Sequence, residues 1–110
     1  MNANYVYLQD LATEVETPEA GILSRTLHKD DDVHVMMFGF DTGQELSEHT
    51  ASMPATLYFV QGEADLTLGA DAMTAGPGTL AHMPAHLPHS VYARTPVKML
   101  LMLHKRAGAG

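Results

Sequence analysis

The sequence predicts an all-β protein, a sandwich or barrel of roughly ten short strands, and three observations carry that prediction. Turn signals recur along the chain, at Gly43, Gly62, Gly69-Ala70-Asp71 and Gly76-Pro77-Gly78. The runs between them are rich in Val, Met, Phe, Tyr and Thr, the side chains that suit a pleated surface. Helical signals are confined to Thr17-Pro18-Glu19-Ala20, where Thr would cap and Pro would take the first helical position.

In order along the chain, residues 5–29 supply one or more N-terminal strands. Residues 32–40 (DVHVMMFGF) form the next, 56–61 (TLYFVQ) another that stops at Gly62, and 63–68 (EADLTL) a third that alternates apolar and polar. Shorter strands are expected at 72–74 and 90–94, and a longer one at 97–104. The tail, 107–110, reads as frayed. With 110 residues the chain fits one domain, its core at about 33–104.

Two strands are apolar on both faces. In one, Ala55, Leu57 and Phe59 share a face opposite Thr56, Tyr58 and Val60; in the other, Val97, Met99, Leu101 and Leu103 oppose Leu100 and Met102. A strand half-exposed to water should alternate with polar residues, so both faces need cover. The expectation is a homodimer, with residues 5–29 contributing to the contact. The alternative is that the N-terminal segment folds over the second face of its own chain.

Composition excludes several function classes. Hydrophobic residues make up 45% and charged residues 17%, as in a globular protein. A net charge of −7 with only six Lys and Arg argues against a nucleic-acid partner. No apolar run has the length of a membrane span, and the N-terminus lacks the basic and apolar regions of a secretion signal; the expected location is cytoplasmic. There is no cysteine, which removes disulfides, thiolate metal sites and thiol nucleophiles. Any metal must therefore be held by His, Asp, Glu or water, a set that suits Fe, Mn, Ni, Co, Cu or Zn.

The stretch Met83-Pro84-Ala85-His86-Leu87-Pro88-His89-Ser90 follows a lone His49 at a distance. Two prolines fix φ in the loop that aims His89, and imidazole is the commonest protein metal ligand. Gly43, His49 and Gly62 in order, followed by Gly78, Pro84 and His89, resemble the two motifs of the cupin family. That resemblance covers about residues 33–104 and implies a double-stranded β-helix, or jelly-roll, barrel in whose mouth the motif histidines hold one divalent metal. The chain departs from the pattern at four places. Ala51 stands for the second histidine, Ala55 for the glutamate, His86 for a glycine and Ala93 for the final asparagine.

The candidate metal ligands are thus His49 and His89, with His82 as a third; His34 and His86 are further possibilities. The alternative for the pair is a hydrogen-bonded pocket without metal. His28 and His104 are expected at strand ends in solvent, and Glu48 is expected to face away from His49 by strand alternation. Ala51, Met53, Ala55, Leu57 and Phe59 are the candidate pocket lining, in which the two alanines would leave space; ordinary core packing is the plainer account of these residues. Ser90 is adjacent to His89 and so faces the other way, which excludes a Ser–His pair. The function read from this constellation is a small metal-dependent enzyme, dioxygenase- or isomerase-like, acting on a small and mostly apolar organic molecule. The alternative is a metal-free small-molecule-binding module.

Overall fold

The computed structural model describes residues 5–105; the expected frayed tail at 107–110 lies outside them. Nine strands follow one 3-10 turn at Leu11–Thr13: β1 (Ile22–Lys29), β2 (Val33–Phe40), β3 (Glu45–His49), β4 (Ala55–Gln61), β5 (Ala64–Leu68), β6 (Asp71–Ala75), β7 (Leu80–Met83), β8 (His89–Ala93) and β9 (Val97–His104). The strands anticipated at 32–40, 56–61, 63–68, 72–74, 90–94 and 97–104 are β2, β4, β5, β6, β8 and β9, each to within one residue. Among the described residues no helix is long and apolar enough to cross a membrane.

All strand pairs are antiparallel, in a five-stranded sheet of order β1-β2-β9-β4-β7 and a four-stranded sheet of order β3-β8-β5-β6. Alternation places Phe40, Leu57, Phe59 and Met99 of the first sheet against Leu66, Val91 and Ala93 of the second, and these form one buried cluster. Gly62 turns the chain from β4 into β5 at φ +88°, with a Cβ position 2.0 Å from the Pro96 carbonyl oxygen. Only glycine meets both conditions.

The one helical turn among the described residues is not at 17–20. Asp10 caps Leu11–Thr13 by accepting from the Ala12 N–H. Ala20 instead takes a left-handed φ of 55° and donates its N–H to the Asp41 carboxylate at 2.6 Å. That tertiary bond at the entry to β1 defeats the weak local signal of Thr17 and Pro18.

The outer face of the five-stranded sheet is covered in part by the chain itself. Residues 11–16 form a strap across it. Lys98 donates to the Ala12 carbonyl, and Arg25 donates to the Glu14 carbonyl at 3.0 Å. Val15 is buried, and so is Met37 on β2. Gly39 is what lets the strap lie flat, since a Cβ there would sit 1.9 Å from the Glu16 carbonyl oxygen. Cover by the N-terminal segment, the alternative in the sequence reading, therefore holds for the part of the face around Met37 and Gly39. The cover does not extend to Leu80, which is 63% exposed, and Tyr58, Leu100 and Met102 are half-buried.

Candidate functional site: a histidine pair at an apolar cavity

The two histidines singled out by the motifs meet. β3 and β8 are hydrogen-bonded neighbours, and His49 lies directly opposite His89 in their register. The ring centroids are 4.1 Å apart with the planes tilted by 59°. His89 reaches this position by plain alternation, sharing its face with Val91 and Ala93, all three buried. His49 does not. Leu46 and His49 both line the same cavity, yet residues three apart in a regular strand face opposite ways. The register shifts between Leu46 and His49, so an irregularity at Ser47-Glu48 re-aims the imidazole inward. Glu48 is exposed, in accord with the expectation that it faces away.

Each ring is fixed by a backbone carbonyl two residues before it. His49 Nδ1 lies 2.7 Å from the Ser47 oxygen, and His89 Nδ1 lies 2.9 Å from the Leu87 oxygen. A carbonyl can only accept, so each neutral ring carries its proton on Nδ1 and leaves Nε2 as a bare lone pair. Orientation of a histidine through its second nitrogen is the arrangement metal-binding imidazoles use.

The cavity beside the pair has a volume of about 110 Å³, and its remaining wall is Phe38, Leu46, Leu57, Val91, Met99 and Leu101. A water molecule needs only about 10–15 Å³ on such a measure, so the space takes a small molecule of a few heavy atoms. The two imidazoles are the only polar side chains among its lining residues. A larger depression of about 390 Å³ lies between the strap and β1, but it holds no imidazole, and Arg25 there is already bonded to Glu14.

Of the lining residues expected from sequence, Leu57 is in place. Ala55 and Phe59 are buried in the core cluster instead; neither is in the cavity wall, and nor is Ala51 or Met53. Ala51 lends its carbonyl to the His86 N–H at 2.7 Å, which ties the loop before β4 to the loop before β8. His86 itself is exposed and holds a left-handed φ of 70°, so histidine has inherited a backbone conformation that suits glycine. Phe38, Leu46 and Val91 were not foreseen. Met99 and Leu101 were visible only as one face of the last strand.

His82 does not join the pair. It is opposite Thr56 in the β4–β7 register, and Thr56 faces away from the cavity that its neighbour Leu57 lines. Its Nδ1 is 2.8 Å from the Thr56 hydroxyl. His104 shares that hydroxyl at 2.9 Å, so the expectation of a solvent-facing strand-end residue is replaced by a hydrogen-bonded, half-buried one. His34 bonds through Nε2 to the Thr26 hydroxyl at 3.0 Å. Desolvation first, then Lys29 and Lys105, lowers its pKa and favours the neutral ring. His28 is paired with Asp30 at 2.7 Å.

Whether the site suits a metal is a question of donors. Among the described residues no group of three His, Cys, Asp or Glu side chains converges. Catalytic sites commonly offer three protein ligands, and Ala51 and Ala55 contribute none. The donor type of the two imidazoles is one that Zn, Cu, Fe and Ni accept, and the chain offers two such side chains here where three are usual.

The cupin domain family model matches residues 36–103, which is more than half of the chain. The chain belongs to the cupin family. No curated protein sequence matches it. A conserved protein of unknown function from Streptococcus pyogenes is 31% identical in its solved structure, covering 96% of this chain and 92% of its own, with a TM-score of 0.82. A cupin superfamily protein from Desulfitobacterium hafniense is 27% identical over 94% of this chain and 95% of its own, with a TM-score of 0.83. A cupin 2 conserved barrel domain protein from Leptotrichia buccalis is 32% identical over 86% of this chain, with a TM-score of 0.79, and the match spans 46% of that longer chain.

Proposed function

We propose that this protein binds a small, mostly apolar organic molecule in the cavity beside His49 and His89, and that the two Nε2 atoms hold one divalent transition metal whose open positions the molecule completes. The observation that carries this reading is the double lock on the rings. Both Nδ1 atoms are spent on backbone carbonyls, which leaves both Nε2 lone pairs for a ligand beside rings whose centroids are 4.1 Å apart. Such a metal would supply Lewis-acid polarisation of an oxygen on the bound molecule. The chain's own contribution is orientation and shelter. The Ser47 and Leu87 carbonyls hold the rings, while Phe38, Leu57 and Leu101 exclude water and select an apolar body. On this reading the two sheets act as the halves of a jelly-roll barrel with His49 and His89 at its mouth. Dioxygenase- or isomerase-like chemistry and a homodimer stand as proposals beside it.

The test is elemental analysis of protein purified without added chelator, beside His89→Ala prepared in the same way. Metal carried by the parent and lost in the variant supports the proposal; equal metal in both, or none in a metal-replete preparation, overturns it. One observation favours a second reading. The alanines at 51 and 55 and the wholly apolar remaining wall suit a metal-free site in which the bare Nε2 atoms accept hydrogen bonds from the ligand. A ligand that raises the melting temperature equally with and without a metal chelator would establish that reading.

A further inference from the structure

Four strands end the two sheets, and three of them carry features that discourage pairing with another chain. β1 holds Arg25 and Lys29 and a register break after Thr26. β3 holds Glu45 and Glu48 and a break of its own, and β6 opens on Asp71. Charge and irregularity are how sheet edges are blunted. β7 has neither. It is the last strand of its sheet, it contains no Asp, Glu, Lys or Arg, and its register with β4 is unbroken. Its exposed Leu80 lies opposite Tyr58 across the ladder. The chain also has a segment suited to such an edge. Tyr5-Val6-Tyr7-Leu8 is aromatic and β-branched and belongs to no strand among the described residues. It leaves Tyr5 76%, Val6 52% and Tyr7 74% exposed, three large apolar side chains in a row that call for a partner.

We infer that residues 5–8 of one copy of this chain lie along the β7 edge of a second copy, and the reverse, as a reciprocal exchange of arms. Such an exchange is one specific form of the homodimer proposed above and rests on it. The lengths agree, since the arm and β7 each have four residues. In an extended arm Tyr5 and Tyr7 share a face, so one placement puts both rings over the outer surface of the sheet, continuing the row that Tyr58 and Leu80 begin. Main-chain bonds along the edge then supply affinity, and the two rings supply specificity. Charge selects the same face. Each copy carries −7, so two copies repel except where their surfaces are uncharged, as around Tyr58, Leu80, Leu100 and Met102. The Thr56 hydroxyl there is already bonded to His82 and His104, so covering the face strands no hydroxyl. The area is sufficient. Two tyrosines about three-quarters exposed bring about 300 Å² per arm. A receiving face of like extent brings each copy to about 600 Å² before Val6 counts, close to the roughly 800 Å² per partner of a stable interface. A two-fold exchange uses the arm and the edge of both copies, whereas a foreign partner on one of them leaves the other uncovered.

The chain has no cysteine, so a cysteine placed in it reports only its own neighbours. Sedimentation velocity on the full parent chain is expected to show a dimer; a monomer overturns the homodimer and the exchange together. Full chains carrying Tyr5→Cys, Val6→Cys or Tyr7→Cys are then each co-expressed with a chain carrying Leu80→Cys, and oxidised. A disulfide between the arm position and position 80 is necessarily between copies, and peptide mass spectrometry is expected to find it for at least one of the three. Met73→Cys on β6, also an exposed position, is expected to give none with the arm. A dimeric parent with no arm-to-80 disulfide, or with one formed equally at position 73, overturns the exchange and leaves the homodimer standing. So does a disulfide seen only when both cysteines are in one chain, which returns the arm to its own edge. Tyr5→Ser combined with Tyr7→Ser, at exposed positions where folding is not at stake, should raise the dimer dissociation constant at least about a hundredfold. An unchanged constant overturns the exchange.

Discussion

Leu57 supports both the core and the cavity, so shortening it tests the packing account directly. Its side chain is 2% exposed, and it belongs to the core cluster as well as to the cavity wall. Leu57→Ala removes three carbons, each giving about 0.8 kcal/mol of transfer free energy, about 2.4 kcal/mol together. The new void adjoins a cavity already present, so its walls have little to collapse onto. An unrelaxed void of about 75 Å³ adds about 1.8 kcal/mol at about 24 cal/mol per Å³. The expected loss is therefore about 4 kcal/mol, read as a shift of the urea midpoint at constant m-value. The same variant should accept larger apolar molecules than the parent, since the added space is bounded by the apolar part of the wall. A loss under about 1 kcal/mol, or one accompanied by a changed m-value, would refute the reasoning, because it would mean that the wall relaxes or that the native state has rearranged.

Further outcomes follow from other sites. Gly39→Ala puts a methyl group where the Glu16 carbonyl oxygen lies, so it should lift the strap and open residues 11–16 to limited proteolysis; an unchanged cleavage pattern would contradict the strap's fit. Ala20→Gly and His86→Gly each relieve a left-handed residue and should raise stability by up to about 1 kcal/mol by thermal unfolding, whereas His86→Val should lower it. Asp30 has its pKa lowered from 3.8 to about 2, chiefly by the His28 hydrogen bond and then by the Asp32 and Val33 backbone N–H groups. Because the folded pKa is the depressed one, this carboxylate's contribution is complete above about 4 and is lost as pH falls through about 2. Asp30→Asn should flatten the acid limb of the urea-midpoint profile over that window, and an unchanged limb would count against the pairing.

How far the sequence could be read varied with the range of the forces involved. β9 was legible to the residue because Pro96 ends the preceding turn and an apolar run, broken only by Lys98, follows to Leu103. β5 was legible because EADLTL alternates as a strand should. β3 was not: Glu45–His49 holds one apolar residue, and the irregularity that brings His49 inward exists only through its pairing with β8. The meeting of His49 and His89 was legible from motif order alone, since it needs only neighbouring strands. The place of His82 was not, because its face is set by register against Thr56, twenty-six residues away in the chain. The cover over Met37 depends on a strap held by Lys98 and passed by Gly39. Neither residue announces that role in the linear pattern.

The most direct test of the central claim is long-range proton–nitrogen NMR of the imidazole rings during a Zn²⁺ titration. The account predicts that His49 and His89 both begin with Nδ1 protonated and Nε2 bare, and that both Nε2 resonances move together as the metal is added. A proton on Nε2 of either ring at the outset, or two rings that do not respond, would contradict it.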